Sequence, residues 1–167
     1  MLKIIEGNLF DSSARIIAHQ VNCQGVMGSG VAKQIKDKYP GVFKEYTALC
    51  HSVESSEDLL GKSHLIHSDG SQIELGEDYE GIYVANLFGQ DKYGYDGKQY
   101  TDVEALGKAF VDLYRQATTL GVDTIAMPYK IGCCRGGADW SRVYMILESI
   151  FKKIDVELWK LGGDKIV

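Results

Sequence analysis

The chain has no run of basic residues, and its formal net charge is -5. Proteins that grip nucleic acid without regard to sequence neutralise many phosphates with lysine and arginine, so tight binding of that kind is not expected. No apolar stretch is long enough to span a bilayer and the start is not signal-like, so no membrane partner is expected and a cytoplasmic location is. Cys23, Cys50, Cys133 and Cys134 form no C-x-x-C pair, and the histidines at 19, 51, 64 and 67 are not spaced with cysteines as zinc ligands are. His64-x-x-His67 is left as a weak pattern next to Leu65 and Ile66, so neither a metal nor a cofactor is expected. Two phosphate loops are missing as well. Gly30 is followed by Val31 and Ala32 where a Walker A loop needs lysine and a hydroxyl, and the glycine spacing is G-x-x-G-x-G rather than G-x-G-x-x-G.

What is present is enough apolar material, 45% of 167 residues with 10% aromatics, for one core and one domain over residues 1–167, with a monomer as the default. Ile16-Ile17-Ala18 feeds a polar segment, then Gly25, Gly28 and Gly30, then apolar residues at helical spacing, Val31, Ile35 and Tyr39. This strand, glycine loop and helix bring backbone N–H groups and the positive end of a helix together, a combination suited to phosphate. A second such unit follows: Thr124 to Met127 as a buried strand, a loop from Tyr129 to Ala138 with three glycines, and a helix from Asp139 through Ile154.

Between the two units, the sequence predicts a helix ending near Tyr39 because Pro40 follows, and a further turn or two around Val42 to Leu49. Strands are expected at Leu2 to Glu6, Lys62 to His67, Gln72 to Leu75, Gly81 to Phe88 and Asp155 to Leu161. Thr101-Asp-Val-Glu104 reads as a capping box for a helix closing at Gly121. Tyr93 to Tyr100, with Gly94 and Gly97, reads as a mobile loop able to cover a ligand. Alternating strands and helices predict a three-layer α/β/α sandwich around a central mixed sheet, with both glycine loops at one edge and His19 and Asn22 at their mouth.

Gly7-Asn8-Leu9-Phe10, Ala18-His-Gln-Val-Asn22 with Gly28-Ser-Gly-Val-Ala32, Asn86-Leu-Phe-Gly-Gln90, and Met127 through Cys133 with Asp139-Trp140 together resemble the macrodomain family. The likeness is nearest to the branch of ADP-ribose 1''-phosphate phosphatases and the terminal ADP-ribose glycohydrolase type. It implies that ADP-ribose or its 1''-phosphate is the partner. By this resemblance Asn8, with Leu9 beside it, takes the place of the aspartate that reads adenine. Asn22 would hold the distal ribose and Gly28, Ser29, Gly30 and Val31 the diphosphate. Ile131, Gly132, Cys133, Cys134, Arg135 and Gly136 would close its other side, with Gln90 at the end of the central strand.

The same resemblance exposes a departure. The lysine and aspartate of the glycohydrolase type fall near Phe88 and at Gly136, and neither residue can do that chemistry. His19 stands where the phosphatase branch has its histidine, which makes it the candidate general base or acid, with Asp91 as a helper. Three functions follow as expectations: hydrolysis of ADP-ribose 1''-phosphate, hydrolysis of another ADP-ribosyl ester, and binding without chemistry. A thiol nucleophile among the loop cysteines is the weaker reading, since no activating base is visible.

Overall fold

The computed structural model describes residues 1–162. Six strands form one sheet: β1 (Leu2–Glu6), β2 (Ile16–Val21), β3 (Ser63–His67), β4 (Tyr83–Phe88), β5 (Thr124–Pro128) and β6 (Asp155–Lys160). Their order is β1-β6-β5-β2-β4-β3, parallel throughout except for the antiparallel edge strand β3. The central strands β2 and β4 are apolar along most of their length because helices cover both faces. On one face, Ile17, Val21, Val84 and Phe88 meet Ile35 of α1 (Gly30–Lys38) and Val42 and Tyr46 of α2 (Pro40–Ser52). On the other, Ile16, Ala18, Leu87 and Met127 meet Leu106, Phe110 and Leu113 of α3 (Val103–Leu120) and Val143 and Leu147 of α4 (Trp140–Ile150). The expected three-layer α/β/α sandwich with a mixed sheet is the fold observed.

Pro40 separates α1 from α2 as its chemistry requires, standing at the first position of a helix where a missing N–H costs nothing. That second helix runs for 13 residues, longer than the turn or two expected. Gly121 closes α3 in the left-handed conformation at φ 71°. The cap at the other end of α3 differs from the expected box: Asp102 accepts the Ala105 N–H at 3.0 Å, and Thr101 is used elsewhere.

Two further expectations are corrected. Residues 72–75 form no strand, because burying alternate residues requires both Ile73 and Leu75 to face the core, and Leu75 is 97% exposed. The segment is instead tied down by Glu77, whose carboxylate meets His67 Nε2 at 2.6 Å beneath Tyr79 and Tyr83. The helix expected to reach Ile154 ends at Ile150, where Phe151 turns into the core. The last strand ends at Lys160, one residue before the expected Leu161, and the sequence from residue 163 onward, which reads as a tail, lies outside the described residues.

Candidate functional site

The carboxyl ends of the parallel strands β2, β4 and β5 open on one cavity of about 160 Å³. Its walls are the first glycine loop with the start of α1 on one side and the second loop, residues 130–136, on the other. His19, Gln20 and Asn22 border it from β2, and Tyr93, Gly94 and Tyr95 border it from the segment after β4. Cations lining it are Lys130 and Arg135. The Arg135 guanidinium lies 4.6 Å from the Tyr95 ring centre, joining two rims of the cavity. A second cleft, lined by Lys130, Cys133, Cys134, Arg135, Asp139 and Trp140, adjoins the first through Gly30, Lys130, Cys134 and Arg135.

The first loop is a cradle because α1 begins in it. The first bond along that helix runs from the Lys33 N–H to the Ser29 carbonyl at 3.2 Å, so the N–H groups of Gly30, Val31 and Ala32 have no partner within the helix. Ser29 makes no side-chain cap, and Gly30 opens the helix at φ 59°, a conformation costly for a residue with a Cβ. Amides and helix dipole together favour an anion here. Asn22, expected at the distal ribose, also shapes the loop itself. Its Oδ1 accepts the Gln24 N–H at 2.9 Å and the Tyr46 hydroxyl at 2.9 Å, while its Nδ2 donates to the Val26 carbonyl at 2.8 Å.

The second loop is held from outside. The Gly136 carbonyl accepts the N–H groups of Tyr100 and Thr101 at 2.8 and 2.9 Å. Thr101 Oγ1, buried, donates to the Gly132 carbonyl at 2.7 Å and accepts from Gln20 Nε2 at 2.8 Å. Gln20 also reaches Gln90 Oε1 at 2.7 Å. A Cβ at Gly136 would collide with Thr101 Oγ1 and the Gly132 carbonyl, so the catalytic aspartate of the glycohydrolase type has no room at this position. Phe88, where the lysine of that type would fall, is fully buried and stacks 6.0 Å from Tyr46.

The ionisable groups narrow the chemistry further. His19 is 1% exposed; burial lowers its pKa to about 4 although a hydrogen bond from its Nε2 to Asn86 Oδ1 at 2.7 Å opposes the shift. The imidazole is therefore neutral at physiological pH, able to act as an acceptor or base rather than as an acid. Burial foremost pushes the thiols of Cys23 and Cys133 up to about 12 and raises that of Cys134, so all three stay protonated at neutral pH and are poor nucleophiles.

Of the residues expected at the site, the cavity brings together His19, Asn22, Gly28, Ser29, Gly30, Val31, Gln90, Ile131, Gly132, Cys134, Arg135 and Gly136. It leaves out four. Asn8 is exposed and caps the turn Leu9–Asp11 by accepting the Phe10 N–H at 2.9 Å, and Leu9 is buried in the core under that turn. Asp91 accepts from Gln24 Nε2 at 2.9 Å and, through its carbonyl, from the Cys23 N–H at 2.9 Å; it clips the first loop to the end of β4. Cys133 lines the adjoining cleft. Sequence reasoning missed Gln20 and Lys130 as cavity residues, although Gln20 is the one side chain on β2 that alternation sends toward the second loop. Trp140 is half-buried against Tyr129 and Tyr144 and packs on the core. His64 and His67, three apart on a strand, project to opposite faces of the sheet and cannot share an ion.

The chain is similar to known proteins in both sequence and fold. The model of the Macro domain family matches residues 18–147. The chain belongs to the Macro domain family. The ADP-ribose 1''-phosphate phosphatase of Meyerozyma guilliermondii is 31% identical to this macrodomain over 162 residues, spanning 88% of this chain and 92% of that protein. The DNA ADP-ribosyl glycohydrolase of Mycobacterium tuberculosis is 28% identical over 154 residues, which cover 92% of this chain and 40% of the relative. Among solved structures, the macrodomain of Mycobacterium tuberculosis DarG superposes at a TM-score of 0.77 with 25% identity, covering 95% and 97% of the two chains.

Proposed function

We propose that this macrodomain binds ADP-ribose through its diphosphate and distal ribose and hydrolyses ADP-ribose 1''-phosphate to ADP-ribose and phosphate. The observation that carries the reading is the pairing of a partnerless amide row at the start of α1 with a buried, neutral His19 bordering the same cavity. Support also comes from the 31% identical relative named for that activity. The loop amides take the diphosphate, and Lys130 and Arg135 add positive charge at the rim. A water attacks the phosphorus, the P–O1'' bond breaks, and the proton the water loses goes to His19 Nδ1. The departing O1'' takes a proton from solvent. Backbone donors fixed in place stabilise the charge that develops on the transferred group. Asp91 keeps the first loop in register in this scheme rather than touching substrate.

A second reading is hydrolysis of an ADP-ribosyl bond to a macromolecule, favoured by the likeness to a DNA ADP-ribosyl glycohydrolase. Any such reaction here would run without the lysine adduct, because Phe88 and Gly136 leave no place for the two groups it needs. Calorimetric titration with ADP-ribose, followed by phosphate release from ADP-ribose 1''-phosphate, separates the readings. Binding with release that His19→Ala lowers by about a hundredfold, within the usual range for a lost general base, supports the phosphatase. Release unchanged by His19→Ala removes the mechanism, and binding without release moves the protein to the second reading or to a binding module.

A further inference from the structure

His19 does not stand alone in the sheet. Asn86 on β4 is in register with His19 on β2 and with His64 on β3, so the three side chains form one row across three strands, on the face covered by α1 and α2. His19 Nε2 lies 2.7 Å from Asn86 Oδ1, and Asn86 Nδ2 lies 3.3 Å from His64 Nδ1. Asn86 is fully buried, His19 nearly so, and His64 is half-buried toward Glu45. A buried polar group in the middle of a sheet is costly unless every bond it makes has a purpose, and this strand is otherwise apolar from Tyr83 to Phe88.

An amide has one end that accepts and one that donates, which sets the direction of the whole row. With its oxygen toward His19, Asn86 can only be met by an Nε2–H, and with its NH₂ toward His64 it requires a lone pair on His64 Nδ1. We infer that Asn86 is a positioning residue that holds His19, a residue bordering the cavity, as the Nε2–H tautomer and so keeps its Nδ1 as a lone-pair acceptor. His64 holds the amide from the far side. The remaining ring nitrogen of His19, Nδ1, is buried and has no hydrogen-bond partner among the described residues, which is what an acceptor kept for a ligand looks like. The row is not a proton wire, because an amide does not readily pass a proton between its two ends. Its effect is selective: the group met by His19 Nδ1 must bring a hydrogen, as water or a hydroxyl does and a phosphate dianion does not.

The kinetic part of this inference rests on the phosphatase reading; the tautomer part does not. Nitrogen-15 correlation spectra of the imidazoles at neutral pH, with His19 assigned through His19→Gln, read the tautomer directly. The expected result is a single Nε2–H form for His19, and an Nδ1–H form or a mixture overturns the inference. Asn86→Leu, similar in size without the amide, is expected to produce a mixture and to lower kcat for phosphate release about tenfold or more with KM within about twofold. His64→Ala, at the row's outer end, is expected to produce a milder form of both changes and serves if Asn86→Leu does not fold. A pure Nε2–H form with unchanged kcat in both variants overturns the inference. If the wild-type protein shows the Nε2–H form, the variants lose it, and no phosphate is released at all, the assignment of Asn86 stands and the phosphatase reading falls.

Discussion

The two glycine loops look alike in sequence and are built on different principles. The first is closed largely from within: Asn22 bonds Gln24 and Val26, Tyr46 reaches in from α2 to the Asn22 carbonyl at 2.7 Å and to its side chain, and Asp91 clips the loop to the end of β4. The second makes its own turn but depends on Gln20, Tyr100 and Thr101, residues 31 or more positions away in sequence, to hold Gly132 and Gly136. A loop with its own closing bonds and ties from α2 and the end of β4 resists local opening, whereas a loop held mainly by two distant segments, Gln20 on β2 and Tyr100–Thr101, moves when either of them moves. The first is therefore the rigid half of the site. The second is the half that adapts, and the Tyr95 and Arg135 contact across the rim belongs to it.

This contrast is open to attack at several points. Gly136→Asp, which restores the carboxylate of the glycohydrolase type, forces a side chain into Thr101 and the Gly132 carbonyl; a loss of about 3 kcal/mol in stability is expected by denaturant melting, with ADP-ribose binding abolished. Equal stability and new glycohydrolase activity would show the second loop to be far more yielding than described. Acid acts on the rigid side. His19 has its pKa lowered to about 4 in the fold, so between pH 6.5 and 4 the unfolded chain binds the extra proton and stability falls with pH. The stabilisation is present above the unfolded value of 6.5, and roughly 3 kcal/mol is lost on going from pH 7 to 4. His19→Gln should flatten that slope in melts taken across the range.

Smaller changes compare the loops directly. Thr101→Val removes two hydrogen bonds, leaving the Gly132 carbonyl only the Ala138 N–H and the Gln20 amide only Gln90; a cost of about 2 kcal/mol is expected, with ADP-ribose about tenfold weaker because the second loop loses an anchor. Tyr46→Phe removes one hydroxyl from a first loop that keeps its other bonds, so about 1 kcal/mol of stability and less than a threefold change in affinity are expected from the same calorimetry. Should Tyr46→Phe weaken binding more than Thr101→Val, the assignment of rigid and adaptable halves is reversed. Arg135→Ala, at an exposed rim, should lower affinity by about threefold at low salt and by less as salt screens the charge.

Local chemistry was legible wherever neighbours in sequence are also neighbours in space. Pro40 parting two helices, Gly121 closing α3, Asp139 capping α4 and the glycine opening of α1 at Gly30 all act within a turn or two of chain. The site was legible in outline for the same reason, since strand, loop and helix follow one another at residues 16–38 and again at 124–150. Thr101 shows the limit. Its spacing to Glu104 matched a capping box, but the adjacent Asp102 took the cap and left Thr101 to pair with Gln20 and Gly132.

The sequence by itself determined the layered α/β fold, the two glycine loops at strand ends and the position of His19 on β2, because apolar periodicity, glycine placement and caps are properties of short segments. Only the tertiary structure decided what those residues do for one another. Placing β2 between β4 and β5 is a choice among strand orders, and it sets His19 beside Asn86 and Gln20 beside Thr101. β2 and β4 pair in parallel across a long crossover, and β3 and β4 pair antiparallel across residues 68–82, so the register that joins residues 19, 86 and 64 leaves no trace at any fixed spacing along the chain. The tautomer and charge state of the histidine follow from that register and from burial, which are properties of the assembled sheet.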